Sequence, residues 1–425
     1  MSNNNWSVET AEARVESCLA RLANDAPKDR YIFSTLFPKP DYAALNAKAP
    51  TPISGALVSV KALFDVKGHV THSGTQFLAE TPAATEDAPA IANLREAGAL
   101  LIGHTTMSEL AYSGIGLNPH YGTADNPLMP GHVPGGSTSG GAVSVANGLV
   151  DIAIGSDTGG SLRIPAAFCG ITGFKPSQQS ISRVGTGPLS DTLDSIGPMA
   201  KTVDGCAQAW QVMAGISDAQ MTQNNAEPLS FHIARNFGFD SLDPIISEGF
   251  EALIADLTKA GVPISDEPLA FFENYGEIPP WHLTSVECRA HFEKQFQTQA
   301  ELFDHRVHSR MNRADELSAV EYRETLNKRQ RFVEAMSQAL AGRILLMPTV
   351  AILPPTVESL REDEAFYQQN LMALRNTTLA NIGDGCSLAL PYEYKGVMLS
   401  LMLVGANGMD VGLLEAGKEL EGYLR

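Results

Sequence analysis

No apolar run in this chain reaches the ~18–20 residues of a membrane-spanning helix, so no membrane partner is expected. Cysteine is scarce. Five residues (Cys18, Cys169, Cys206, Cys288 and Cys386), scattered and odd in number, argue against a disulfide framework and for reduced thiols. The N-terminal stretch MSNNNWSVETAEARVESCLARLA has no basic segment followed by an apolar one. A secretory signal is therefore not read, and a cytoplasmic location is expected. Cations are outnumbered, with 30 Lys and Arg against 48 Asp and Glu and a net charge of −18. Such a surface repels phosphate backbones, so nucleic acid is not an expected partner. The glycine-rich loops are not followed by the lysine that a G-x-x-x-x-G-K-[ST] phosphate loop requires. His69 and His72, three apart, could share a helix face, but no third ligand follows at a metal spacing. No metal and no cofactor are expected.

What the chain does have is concentrated between Gly135 and Ser161, which read GGSTSGGAVSVANGLVDIAIGSDTGGS and run on into LRIPAAFCGITGFKP. Two glycine-rich loops, each with serines, flank an apolar stretch. Glycine lets main-chain N–H groups approach a ligand closely. Ser161, directly after Thr158-Gly159-Gly160, thus sits beside a row of backbone donors. Acyl transfer requires such donors for the negative oxygen that forms in it. Serine also needs a base. None of the ten histidines sits in a glycine-rich block that resembles a triad, so the base has to come from elsewhere. A lysine can serve if its charged form is disfavoured by burial. Lys61 closes the apolar run Ala56-Leu57-Val58-Ser59-Val60, which could carry it into a core, although a surface lysine at a strand end has the same local pattern.

These blocks resemble the amidase signature family, the Ser-Ser-Lys hydrolases of amide bonds. Its pattern runs roughly G-G-S-S-G-G, about twenty residues, then G-S-D-T-G-G-S-[IL]-R-x-P. Gly155 to Pro165 fit the second block throughout, and Ser161 follows Ser137 by 24 positions. Thr138, where Ser or Gly is usual, and Ala62, where Asp is common, depart from the pattern without removing a catalytic group. The resemblance implies roles. Ser161 attacks the carbonyl, Ser137 relays the proton after a cis Gly136–Ser137 peptide, and neutral Lys61 is the base. It also implies an oxyanion site among the N–H groups of Thr158, Gly159, Gly160 and Ser161. Asp157 and Arg163 are expected to brace the loop, with a substrate contact left open for Arg163. By the same resemblance Ala111 and Tyr112, in TTMSELAYS, are the candidates on the acyl side of the cleft; Tyr112 could equally be core. Cys169, among small and apolar neighbours, reads as packing.

Strand–helix alternation along the chain predicts an α/β fold with a sheet covered on both faces, and the resemblance implies a mixed, twisted central sheet between layers of helices. Residues 1–50 read as a leading helical segment with a stripe at Ala11, Val15, Cys18, Leu19 and Leu22, packed on the core. Residues 51–215 form the signature core, 216–342 a variable helical cover, and 343–425 the C-terminal part of the sheet. With no repeat or linker in view, the 425 residues are read as a single domain. The function expected is hydrolysis of a small-molecule amide, including carbamoyl compounds, with release of ammonia or an amine. One alternative is the glutaminase component of a tRNA-dependent amidotransferase, for which the chain looks short and acidic. Another is a non-catalytic binding protein, against which the presence of Lys61, Ser137 and Ser161 argues. Homodimers are common in the family, and one is left open here.

Overall fold

The computed structural model describes residues 6–24, 26–46, 49–217, 220–221 and 229–424. Parts of the leading segment (1–5, 25, 47 and 48) and of the variable region (218–219 and 222–228) lie outside the described residues.

Eleven strands form one sheet: β1 (Phe33–Leu36), β2 (Leu57–Lys61), β3 (Leu100–Thr105), β4 (Ile152–Asp157), β5 (Thr172–Lys175), β6 (Ser195–Ala200), β7 (Ser230–Ile233), β8 (Ile264–Asp266), β9 (Arg343–Pro348), β10 (Cys386–Tyr394) and β11 (Val397–Gly405). Their spatial order is β1-β3-β2-β4-β6-β5-β10-β11-β9-β7-β8. The sheet is mixed. β2 lies between β3 and β4 in parallel, and β7, β8 and β9 are parallel to one another. The central β4-β6-β5-β10-β11-β9 run is antiparallel.

Alternate residues of a strand face opposite sides, and here both sides are apolar. Val58, Val60, Ile152 and Ile154 enter one core, whereas Leu57 and Ala153 enter another with the helix Ser139–Ala146. That helix comes close because it is built from small residues. A Cβ on Gly140 would lie 2.2 Å from the carbonyl oxygen of Ile32.

The apolar runs Gly55–Val60, Leu100–Gly103 and Ile152–Gly155, with RILLMPT, CSLALP and MLSLMLVG near the C-terminus, read as strands from the sequence alone and mark β2, β3, β4, β9, β10 and β11; β1, β5 and β6 offer no such run. β5 (TGFK) and β6 (SIGPMA) carry glycine or proline, which ordinarily argue against a central strand. Close packing decides them here. A Cβ on Gly197 would meet the carbonyl oxygen of Phe174 at 2.2 Å. A second correction concerns His69 and His72. They share no helix but lie in the connection between β2 and the helix Pro89–Glu96. His72 contacts Ser34 Oγ through Nε2 (2.9 Å) and accepts from Gly74 N through Nδ1 (3.0 Å). Among the described residues no group of three or more His, Cys, Asp or Glu side chains is placed to hold a metal ion.

The helix Val8–Ala23 buries Ala11, Val15 and Cys18 and is tied to the sheet by Arg14 and Asp151 (2.5 Å). The helices Pro280–Thr298 and His305–Asn312 wall the cavity beyond the end of β4, and the helix Ala319–Ala339 packs against the first of them to complete the cover. The last of these starts with a capping box at Ser318 and Glu321. No helix among the described residues is long and apolar enough to cross a membrane.

Candidate active site

Lys61 is the last residue of β2, and Ser156 and Asp157 are the last residues of its parallel neighbour β4. This shared strand end brings the chemistry together. Ser59 and Lys61 point toward the helix Ser139–Ala146, where Ser59 Oγ meets Ser144 Oγ (2.9 Å). Two residues before that helix, Ser137 Oγ lies 2.7 Å from Lys61 Nζ. The Gly136–Ser137 peptide is cis. Ser156 supplies two further neighbours to Nζ, its Oγ at 2.9 Å and its carbonyl oxygen at 3.5 Å. Lys61 and Ser137 have no exposed surface at all. Burial pulls the lysine pKa down to about 7, against Asp157 and Asp194, which act to raise it.

Ser161 is joined to the same segment through the backbone, Thr138 N donating to Ser161 O (3.3 Å). Its hydroxyl makes no hydrogen bond among the described residues and lines a cavity of about 560 Å³. Thr158, Gly159, Ala111 and Tyr112 line the same cavity. Ser137 and Gly160, both expected at the substrate, do not. Ser137 is wholly buried, and the Gly160 N–H already donates to Asp157 Oδ1 (2.8 Å). The N–H groups of Thr158, Gly159 and Ser161 have no acceptor among the described residues. Gly160 is instead a steric requirement. Its φ is +138°, and a Cβ would stand 2.1 Å from Thr377 Oγ1.

Asp157 and Arg163 form a fully buried, two-pronged pair (Nη2–Oδ1 2.8 Å, Nε–Oδ2 3.0 Å). Burial acts to raise the Asp157 pKa, but Arg163, with help from Lys175 and Asn381, brings it to about 2. Arg163 also donates to Thr377 O (2.7 Å) and Asn381 Oδ1 (2.8 Å). It does not line the cavity, so the substrate contact left open for it has no support in the geometry.

Several residues escaped the sequence reading. Ser156 stood inside the second glycine-rich block, and its place next to Lys61 follows from the parallel pairing of β2 and β4. Asp194 accepts from Thr158 Oγ1 (2.6 Å) and from the N–H groups of Leu189 and Ser190 (2.9 and 3.0 Å). Thr377 and Thr378 donate to Gly159 O (2.6 and 3.1 Å), from more than 200 residues away in the chain. No local signal marks any of these three. Cys169 is buried, with its thiol on Pro134 O (3.3 Å), and burial pushes its pKa well up. It is no nucleophile.

The family model for Amidase matches residues 13–414. The chain belongs to the amidase signature family. Among curated relatives, the 2-amino-5-chloromuconic acid deaminase of Comamonas testosteroni is 32% identical over 374 residues, covering 85% of this chain and 77% of that one. A component of the glutamyl-tRNA(Gln) amidotransferase of Halobacterium salinarum, its A-subunit, is 28% identical over 420 residues, 89% of this chain and 97% of that one. The length of this chain is therefore no argument against that kinship. A crystal structure of an amidase superposes with a TM-score of 0.84 at 29% identity, covering 98% and 99% of the two chains. The α/β fold with a large mixed sheet is thus that of the family, and this amidase is a hydrolase of the carbon–nitrogen bond of small amides.

Proposed function

We propose that this amidase cleaves its substrate through an acyl group carried on Ser161, with Ser137 as proton relay and Lys61 as base. The observation that carries this reading is the contact of Lys61 Nζ with Ser137 Oγ at 2.7 Å, in a site where burial brings the lysine pKa to about 7. Neutral Lys61 accepts the Ser137 proton as Ser137 takes that of Ser161. The Ser161 Oγ–carbon bond forms, and negative charge develops on the carbonyl oxygen. The N–H groups of Gly159 and Ser161, with Thr158 beside them, meet that charge; losing one such donor typically costs about 100- to 1000-fold in rate. The proton then returns through Ser137 to the departing nitrogen as the carbon–nitrogen bond breaks. Water, activated by the same relay in reverse, releases the acid and frees Ser161.

The test is ammonia release from acetamide, malonamide, benzamide, indoleacetamide, glutamine and carbamoyl compounds, with Ser161→Ala as control. Labelling by a fluorophosphonate probe checks the nucleophile independently. Release and labelling that both persist in Ser161→Ala would overturn the assignment. The amidotransferase reading is kept second because the Halobacterium salinarum match spans nearly all of both chains. It predicts glutamine as the preferred amide and activity only with partner proteins of the complex. Five free, buried cysteines support a reducing compartment, and we place the enzyme in the cytoplasm with no nucleic-acid partner of its own.

A further inference from the structure

The cavity that holds Ser161 has a one-sided charge. Arg310, Arg313 and Arg375 line it, and no described Asp or Glu does. This is unexpected in a chain whose net charge is −18. The three guanidinium groups are not equivalent. Arg375 is used by the protein, donating to Asn376 Oδ1 (3.0 Å) and to the carbonyl oxygens of Gly238 (3.0 Å) and Asp240. Arg313 lies over the Trp281 ring, 3.6 Å from its centroid, with Glu316 at the edge of contact (3.7 Å). Arg310 lies over the Tyr112 ring at 4.0 Å and donates to the Tyr112 carbonyl oxygen. Among the described residues no carboxylate comes within salt-bridge distance of it. Burial accordingly acts to lower its pKa, and the groups that act to raise it are Tyr112, Tyr367 and Cys288.

A partly buried cation without a counter-ion is unfavourable unless a ligand brings the anion. A guanidinium has five N–H donors in a planar fork that matches a carboxylate. With one Arg310 donor on Tyr112 O, a bidentate pair remains available. The tyrosine face fixes the plane of the fork, so little freedom is lost on binding.

We infer that the amide hydrolysed at Ser161 carries a carboxylate on its acyl part, and that Arg310, supported by Arg313, selects for it. This rests on the reading of Ser161 as the nucleophile of this cavity. It goes beyond it by naming the substrate class and the residues of the cover that set it.

Two matched pairs test it: succinamate against butyramide, and 4-carbamoylbenzoate against benzamide. In at least one pair, kcat/KM should favour the carboxylate by roughly 10- to 100-fold, the range of a charge-assisted hydrogen-bond pair. Arg310→Gln should collapse that ratio toward one, mainly through KM, and Arg310→Lys should restore part of it. Equal or better turnover of the neutral member in both pairs overturns the inference. So does an Arg310→Gln loss that scales both members alike. Calorimetric titration of the wild-type protein with succinate and terephthalate gives a readout that needs no turnover. Absence of binding by both overturns the inference, as does binding that Arg310→Lys and Arg310→Gln leave equally strong. Failure of the serine mechanism itself would show differently, as ammonia release or probe labelling that survives Ser161→Ala.

Discussion

The strand end at β2 and β4 and the helical cover above it treat charge in opposite ways. At the strand end Lys61, Asp157 and Arg163 are wholly buried, and the protein itself provides their partners: Ser137 and Ser156 for Lys61, and a two-pronged ion pair for the others. On the cover Arg310 and Arg313 rest on aromatic faces along the cavity wall, and Arg310 has no carboxylate within salt-bridge distance among the described residues. Burial of a closed set of polar groups tunes protonation and geometry, as a reaction centre requires. A cation held without its anion is suited to recognition. The comparison separates a closed polar cluster, satisfied by the protein itself, from a cavity wall that keeps a cation open to a ligand.

The sharpest way to break that division is Ser161→Ala. Turnover should fall by at least about 10⁴-fold, with the thermal unfolding curve unchanged, read by ammonia release and circular dichroism. Lys61→Met comes next, with an expected loss of roughly 10²- to 10⁴-fold. Its pH profile is the stronger readout. The lysine acts when neutral and its pKa is drawn down to about 7, so wild-type kcat/KM should rise as pH increases through about 7 and then level. That rising limb should vanish in Lys61→Met; a wild-type profile without it, or one retained in the variant, would remove Lys61 from the base role.

Asp157→Asn tests stability at the strand end. It leaves Arg163 charged and buried with half its partner gone, and about 3–5 kcal/mol should be lost, measured by chemical denaturation. A conservative substitution at the cavity wall should cost far less. Tyr112→Phe removes only the hydroxyl contact with Thr284 Oγ1 (3.0 Å) and leaves the ring under Arg310. A change of about 0.5–1.5 kcal/mol in stability is expected, with the preference between charged and neutral amides retained. Loss of that preference would mean that the phenol, not the arginine, reads the substrate.

The contrast also explains what was legible. The strand end was readable because its groups lie in two short blocks with local chemistry: a lysine closing an apolar run, and serines among glycines. The apolar strands β2, β3, β4, β9, β10 and β11 were readable for the same local reason. β5 and β6 were not, because glycine and proline ordinarily argue against a central strand, and the close approach of neighbouring backbone that requires Gly173 and Gly197 is a tertiary feature. The arginines of the cover drew no notice. Arg310 and Arg313 stand in a charged helical stretch where a cation ordinarily faces water, and nothing local distinguishes them.

By itself the sequence determined the family and the class of bond cleaved, because spacing within a glycine-rich block is a local property of the chain. Asp157 takes the Gly160 N–H from three residues away, a contact local to the loop, whereas the Gly159 carbonyl is held by Thr377 and Thr378, which only the tertiary structure brings there from the far end of the chain. The fold likewise decided the charge on the cavity wall. Burial, pairing and protonation depend on neighbours distant in sequence, and only folding brings those neighbours within a few ångströms.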